Sequence, residues 1–344
     1  LNSVKQKHRH LVERSTLYVS LEPCAHFGKT PPCADLIIRN RIPRVVIGCR
    51  DPFVQVDGKG IEKLKAAQIE VVQSVLEKEC KERNKRFFTF HIKHRPYVAL
   101  KWAETGDGKI APRFNAVNSA KRQAQPLHTQ DGNGASVSEG EGNEEGSSPV
   151  GRSRPEHSRL FISNACTNRI VHKWRSEEMA IAVGTNTALQ DDPELSTRLW
   201  PGKNPVRIVV DMELRLPPSL KLFDGRIRTI VFNTKKHTID NLNFPLPAGT
   251  HYYQVSEDVS LVHQMLSALY RMSIQSVLIE GGARLLQSFI DEGLWDEARV
   301  ITNQELIIGE GLAAPVLQHH RLLHAENYLS DTIHIYQPVN QSTF

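Results

Sequence analysis

Short apolar runs alternate with helix-patterned segments along nearly all of this 344-residue chain, and that alternation limits the folds open to it. Residues 17–21, 44–49 and 69–72 read as strands. Residues 34–41 and 60–67 carry amphipathic helical patterning, and residues 77–90 read as one charged helix. Such strand–helix–strand order predicts a parallel-rich sheet covered by helices. A second α/β block opens at Tyr97, with candidate strands at 97–102, 179–183, 206–211, 229–232, 276–279, 298–302 and 332–337. Helices are expected at 168–175, 261–270 and 283–291. The chain is too long for one ordinary core, so two domains are expected, at 1–94 and 95–340.

Between the blocks, residues 115–157 are rich in Ser, Gly, Asn, Gln and Glu and nearly free of large apolar side chains. Such a segment buries too little surface to offset its ordering entropy and reads as a disordered insertion. Elsewhere the composition, 40% hydrophobic and 24% charged, is that of a soluble globular protein. No run is long enough to span a bilayer and no signal-peptide pattern opens the chain, which points to the cytoplasm. The formal net charge of +5 comes from Lys and Arg spread along the sequence, a solvated surface rather than a nucleic-acid footprint. Five cysteines, an odd number, do not make a disulfide framework; Cys49, Cys80 and Cys166 read as incidental thiols.

Cys24 and Cys33 are different. Each follows a proline, one after an apolar strand and one before a helix, so two thiols meet at neighbouring loop ends. A zinc deaminase holds its metal with one His and two Cys, while a Glu that is not a ligand moves protons. No His-x-Glu precedes Cys24, and the chain opens on Leu1. His8 and His10 lack a Glu at that spacing, and His26 belongs to the loop between the cysteines. The run Glu22-Pro23-Cys24-Ala25-His26-Phe27-Gly28-Lys29-Thr30-Pro31-Pro32-Cys33 resembles the deaminase domain of the bifunctional riboflavin-biosynthesis deaminase/reductase, the RibD type. The resemblance implies a cytidine-deaminase-like α/β/α domain in which Cys24 and Cys33 are zinc ligands. The expectation is a truncated domain with an incomplete zinc site and no deaminase activity of its own.

An apolar strand runs into Gly281-Gly282 and then a helix from Ala283. Glycines let a backbone approach phosphate closely, and a helix start offers free N–H groups. Taken alone this is also an ordinary turn; it is not the Gly-x-Gly-x-x-Gly fingerprint. Residues 97–340 resemble the reductase domain of the same family, whose fold is like dihydrofolate reductase. The match is carried by Leu100-Lys101-Trp102-Ala103-Glu104-Thr105-Gly106-Asp107-Gly108-Lys109, by His172-Lys173-Trp174-Arg175, by the Gly184-Thr185-Asn186-Thr187 turn at a strand end and on through Asp191 to Arg198, by Pro205 to Asp211, and by Val277 to Ala283. The resemblance implies that Ala103, Phe161, Thr187, Asp191, Gly281, Gly282, Ala283 and Arg284 meet NADPH, and that Arg175, Leu195, Arg198 and Glu280 meet a phosphorylated pyrimidine substrate. Position 161 is Phe where family members often carry Trp. Lys101 and Asp107 are candidates for polarising the sugar. The implied reaction is NADPH-dependent reduction of the ribosyl chain of 5-amino-6-(5-phosphoribosylamino)uracil to ribityl, in a homodimer or higher homo-oligomer. A bifunctional enzyme clipped at its start, and a non-catalytic remnant that assembles with active subunits, are the alternatives. A nucleic-acid deaminase is disfavoured by the long loop between the cysteines.

Overall fold

Strand β1 (Thr16–Leu21), β2 (Arg44–Cys49) and β3 (Glu70–Val72) pair in parallel and in sequence order, the outcome expected of strands joined by helical crossovers. Helices α1 (Cys33–Arg39) and α2 (Lys59–Ala66) form those crossovers. Ile37, Ile61 and Leu64 from the helices share one core with Val45 and Ile47 of β2. The computed structural model describes residues 6–27, 30–53, 57–112, 160–239 and 246–339, so the insertion expected at 115–157 lies outside the described residues.

Helices α3 (Glu77–Arg83) and α4 (Lys85–Lys93) lead to the second sheet. Its strands and flanking elements follow in chain order: β4 (Tyr97–Thr105), β5 (Lys109–Pro112), α5 (Ala165–Glu177), β6 (Ala180–Gly184), α6 (Thr185–Asp191), β7 (Val206–Val210), β8 (Thr229–Asn233), β9 (Thr250–Gln254), α7 (Leu261–Arg271), β10 (Ser276–Ile279), α8 (Ala283–Asp291), β11 (Glu297–Asn303), β12 (Gly311–Ala313), β13 (His320–Tyr328) and β14 (Asp331–Pro338). Nine of these strands form one mixed sheet in the order β13-β14-β11-β4-β10-β6-β7-β8-β9. From β11 to β9 all neighbours are parallel, and β14 and β13 complete one edge antiparallel.

The central strands are mostly apolar and buried because both faces are covered. Ala180, Ala182, Ile208, Val277 and Ile279 face one core with Leu266 of α7 and Leu286 of α8. Ile181, Val183, Val209 and Leu278 alternate to the other face, against Leu216 and Leu222. Parallel pairing has a functional consequence. The carboxyl ends of β4, β10 and β6 lie side by side, where an open α/β sheet places its ligand crevice.

Two expectations need correction. The helix expected over 77–90 is broken at Asn84, whose φ of −101° and ψ of 14° leave the α region. Its side-chain amide donates to the Cys80 carbonyl at 2.8 Å and to the Ser20 hydroxyl at 3.3 Å, a local alternative to the helical ladder. The Gly184-to-Thr187 segment, read as a turn, opens a helix. The reading also lacked β5, β9, β12 and β13, the last of which is exposed along almost its whole length.

Candidate active site

β10 delivers Glu280 to the crevice: its backbone N–H donates to the Ala182 carbonyl at 2.9 Å, continuing the strand pairing by one residue. β4 delivers Lys101, one residue past Leu100, which lies opposite Ile279. α5 crosses this end of the sheet and brings Arg175. The three side chains meet. Arg175 grips the Glu280 carboxylate with Nε and Nη2, each at 2.8 Å, and Lys101 Nζ lies 3.4 Å from Oε1. Burial alone would raise the Glu280 carboxyl, but the charges and hydrogen bonds of Arg175 and Lys101 outweigh it and hold the group below its ordinary value. The remaining Arg175 nitrogen donates to the Ser196 carbonyl at 3.1 Å. That bond ties α5 to the turn holding Leu195 and Arg198. Leu195 is buried, whereas the Arg198 side chain is 52% exposed and pairs with Glu194 at 3.8 Å.

Beside this cluster lies the glycine cradle. Gly281 packs so tightly on Thr187 that a Cβ there would fall 2.9 Å from the Thr187 methyl, and Gly184 donates to the Gly281 carbonyl at 3.3 Å. Gly282 has φ of +84°, a conformation natural only to glycine, and it hands the chain to α8 at Ala283. The bare backbone of Gly281 and Gly282 leads straight into the N-terminus of α8, an arrangement that suits a dinucleotide pyrophosphate. Ala103 projects from the same face of β4 as Lys101, two residues on. Asp191 closes α6. Phe161 is 71% exposed beside the β11 end, where Asn303 bonds the Ile162 carbonyl at 2.7 Å.

Asp107 stands apart from this group. Its carboxylate accepts from Thr105 Oγ1 at 2.5 Å and from the N–H groups of Ile308 and Gly309 at 3.3 and 2.7 Å, clamping one loop to another. Sequence reasoning gave no role to His172, one helical turn before Arg175. Its ring is buried, and burial, reinforced by the positive charges of Arg175 and Arg198, pulls its pKa down to about 4. The sequence signals for it are its place at the head of the His172-Lys173-Trp174-Arg175 segment and its spacing from Arg175 on one helix face.

The first unit holds the thiol pair. Cys24 Sγ accepts from the Cys33 N–H at 3.3 Å, and its carbonyl accepts from Ala34 at 3.1 Å. Burial and the neighbouring Cys24 thiol push the Cys33 thiol up. Glu22 builds the frame beneath. Its buried carboxylate accepts four backbone N–H groups, those of Asp51 at 3.3 Å, Gly58 at 3.0 Å, Gly60 at 3.0 Å and Ile61 at 3.1 Å. Two thiols form only part of a catalytic zinc donor set, and no group of three His, Cys, Asp or Glu suited to a metal occurs among the described residues. The residues described do not complete that site.

Comparison with known proteins decides the family. The RibD C-terminal domain profile matches residues 96–331. The chain belongs to the RibD family. Riboflavin biosynthesis protein RibD of Aquifex aeolicus is 36% identical over 300 residues, 87% of this chain and 71% of that protein. Its counterpart in Actinobacillus pleuropneumoniae is 31% identical over 305 residues, covering 88% and 70%. Among solved structures, the Thermotoga maritima diaminohydroxyphosphoribosylaminopyrimidine deaminase/5-amino-6-(5-phosphoribosylamino)uracil reductase aligns with a TM-score of 0.70 at 31% identity, over 94% of this chain and 79% of that one. RibD of Acinetobacter baumannii aligns with a TM-score of 0.73 at 25% identity, over 96% and 83%. The nine-stranded unit is therefore the RibD reductase domain and the three-stranded unit matches the RibD deaminase side, so the chain is an enzyme of RibD reductase type. No helix among the described residues is long and apolar enough to cross a membrane.

Proposed function

We propose that this chain reduces the ribosyl side chain of 5-amino-6-(5-phosphoribosylamino)uracil to the ribityl chain with NADPH, and that its zinc-deaminase unit is inactive in this chain. The observation that carries the reading is the Lys101–Glu280–Arg175 cluster lying directly against the Gly281–Gly282 cradle. Gly281, Gly282, Ala283 and Arg284 would hold the cofactor phosphates, and Thr187, Asp191, Ala103 and Phe161 would complete its site. When bound, NADPH supplies the hydride, so the protein has to orient, polarise and exclude water. Arg198 binds the phosphate of the substrate, which its planar fork matches. Arg175 and Glu280 fix each other and present Lys101 to the sugar. An ammonium held at that point stabilises negative charge on the sugar oxygen as the ring opens, and Lys101 is the proton source beside it.

The deaminase part of the proposal is supported by the donor set around Cys24 and Cys33, which no third His, Cys, Asp or Glu completes among the described residues. Subunit assembly through the reductase unit is supported by β13, an edge strand exposed on both faces that displays Leu322 and Leu323.

The test is NADPH oxidation by the purified chain, offered the amino-pyrimidinone ribose phosphate or its deaminated product separately. Turnover of the deaminated compound alone is expected. Turnover of both substrates would sink the claim about the first unit, and turnover of neither would leave a non-catalytic assembly subunit.

A further inference from the structure

We propose that the β5–β12 ribbon is a strap between the strand that carries Lys101 and the helix that receives the cofactor, with Asp107 as the positioning residue that fastens it. This assignment rests on the NADPH-dependent reduction proposed above and deepens it by giving a role to side chains outside the Lys101–Glu280–Arg175 cluster.

β5 and β12 are four and three residues long and pair antiparallel with each other, apart from the nine-stranded sheet. A two-stranded ribbon is marginal by itself. No residue of either strand is fully buried, and Leu312 is 52% exposed. Ile110 packs against the main core, but burial of this extent holds little. Hydrogen bonds at the two ends of the ribbon therefore decide where it lies.

At one end stands Asp107. Its carboxylate accepts from Thr105 Oγ1 at the end of β4, and from the N–H groups of Ile308 and Gly309 on the way to β12, at 2.5, 3.3 and 2.7 Å. Bonds to an ionised acceptor are the stronger kind. The Thr105 hydroxyl, followed by those N–H groups, holds the carboxyl below its ordinary value. The turns also meet backbone to backbone. Gly106 donates to the Leu306 carbonyl at 2.9 Å, Ala314 donates to the Gly108 carbonyl at 3.0 Å, and a Cβ on Gly106 would fall 3.0 Å from the Gln304 carbonyl oxygen.

At the other end stands Gln287. Its Oε1 accepts from the Val316 N–H at 2.9 Å, and its Nε2 donates to the Val316 carbonyl at 3.4 Å and to Asp291 at 2.7 Å. Gln287 lies on α8, one turn after Ala283, where the glycine cradle passes into the helix. The Asp107 turn, for its part, ends the strand that carries Lys101 and Ala103. The ribbon thus ties the side that would hold the hydride donor to the side that would serve the sugar. Transfer between two bound reactants is steeply sensitive to their relative placement, and a fastened strap fixes that placement before either is bound.

The test is steady-state NADPH oxidation with the deaminated pyrimidine ribose phosphate. The intact chain is compared with its Asp107→Asn, Asp107→Ala and Gln287→Ala variants, each also run with NADPH deuterated at the transferred position. In Asp107→Ala, kcat should fall by about tenfold to a hundredfold while KM for the pyrimidine and the melting temperature stay near the parent values. Asp107→Asn keeps one acceptor oxygen and should lose less. The deuterium effect on kcat should grow, because misplaced reactants make hydride transfer the slow step. Gln287→Ala should reproduce the pattern, and the double Asp107→Ala/Gln287→Ala variant should lose little more than either alone, since both release one strap. Hydrogen exchange reads the strap without turnover: in Asp107→Ala, protection should fall together at β12, at Val316 and in the first turn of α8. Exchange confined to the turns at Asp107 and Gly309 would overturn the strap. So would parent-like kcat in Asp107→Ala, additive losses in the double variant, or a loss of kcat that follows a lowered melting temperature with an unchanged deuterium effect. A parent chain that never oxidises NADPH would end the proposed activity, and the exchange pattern by itself would then uphold or overturn the strap.

Discussion

The Glu280 side chain is 5% exposed, with two cations as its neighbours. Replacing it by Gln would leave Arg175 and Lys101 facing each other without a counter-charge. Glu280→Gln is therefore expected to cut kcat/KM by roughly a hundredfold or more, the scale of losing a preorganised electrostatic contact, in steady-state NADPH oxidation. Lys101→Met should lower kcat by a factor on the order of 10²–10⁴ while NADPH binding, followed by fluorescence titration, stays near the parent value. Acidification reads the same groups through stability. Burial pushes Glu178 and Glu280 up, but their arginine and lysine partners outweigh it and both end below their ordinary values. Their stabilisation is present above the unfolded carboxylate value of about 4.3 and is lost as pH falls through the lower folded values. His172 acts in the same direction, since an unfolded imidazole takes a proton near pH 6.5 that the buried ring refuses until about 4. Melting temperature should decline from about pH 6.5 downward, and His172→Phe should flatten the stretch between about 6.5 and about 4, as calorimetry would show.

At the level of elements, one glycine decides local geometry. A Cβ on Gly60 would fall 1.8 Å from the Pro23 carbonyl oxygen, a backbone atom that cannot swing away, and Gly60 also donates to Glu22. Gly60→Ala should destabilise the first unit by roughly 1–3 kcal/mol, visible as faster hydrogen exchange in β1 and β2. The elements legible in the sequence are those whose local pattern and tertiary role agree. β10 was read to its last residue because Ser276 to Ile279 are apolar or buried throughout and glycines end the run. β2 and α8 were legible for the same reason. β13 was not, because its residues are exposed on both faces and carry no alternation. The break at Asn84 depends on Ser20, 64 positions away, which no window along the chain can see. At the site, Arg175 and Glu280 were legible from their motifs, but their mutual grip was not, nor was the loop clamp that occupies Asp107. His172 stood in a quoted segment, but its burial beside two arginines is a property of the folded state alone.

Across the whole molecule, a chain of charges joins α4 to the nine-stranded sheet. Lys85 and Arg86 on α4 reach Glu297 at 2.6 Å and Glu178 at 2.5 Å, and Arg299 bridges the two carboxylates at 2.5 and 3.1 Å. Tyr97 adds its hydroxyl to Glu297 at 3.0 Å. Glu178→Ala would strand two arginines in a buried setting and should cost about 3–5 kcal/mol in denaturant unfolding, more than any single surface pair would. That network also decides where the protein can be cut. A catalytic fragment begun at Arg95-Pro96, where the sequence invites a boundary, would discard both cations on α4 and leave acidic side chains bare in the floor of the reductase sheet. The natural seam runs upstream of Lys85, and α4, though it follows the deaminase side in the chain, belongs by its charges to the other half.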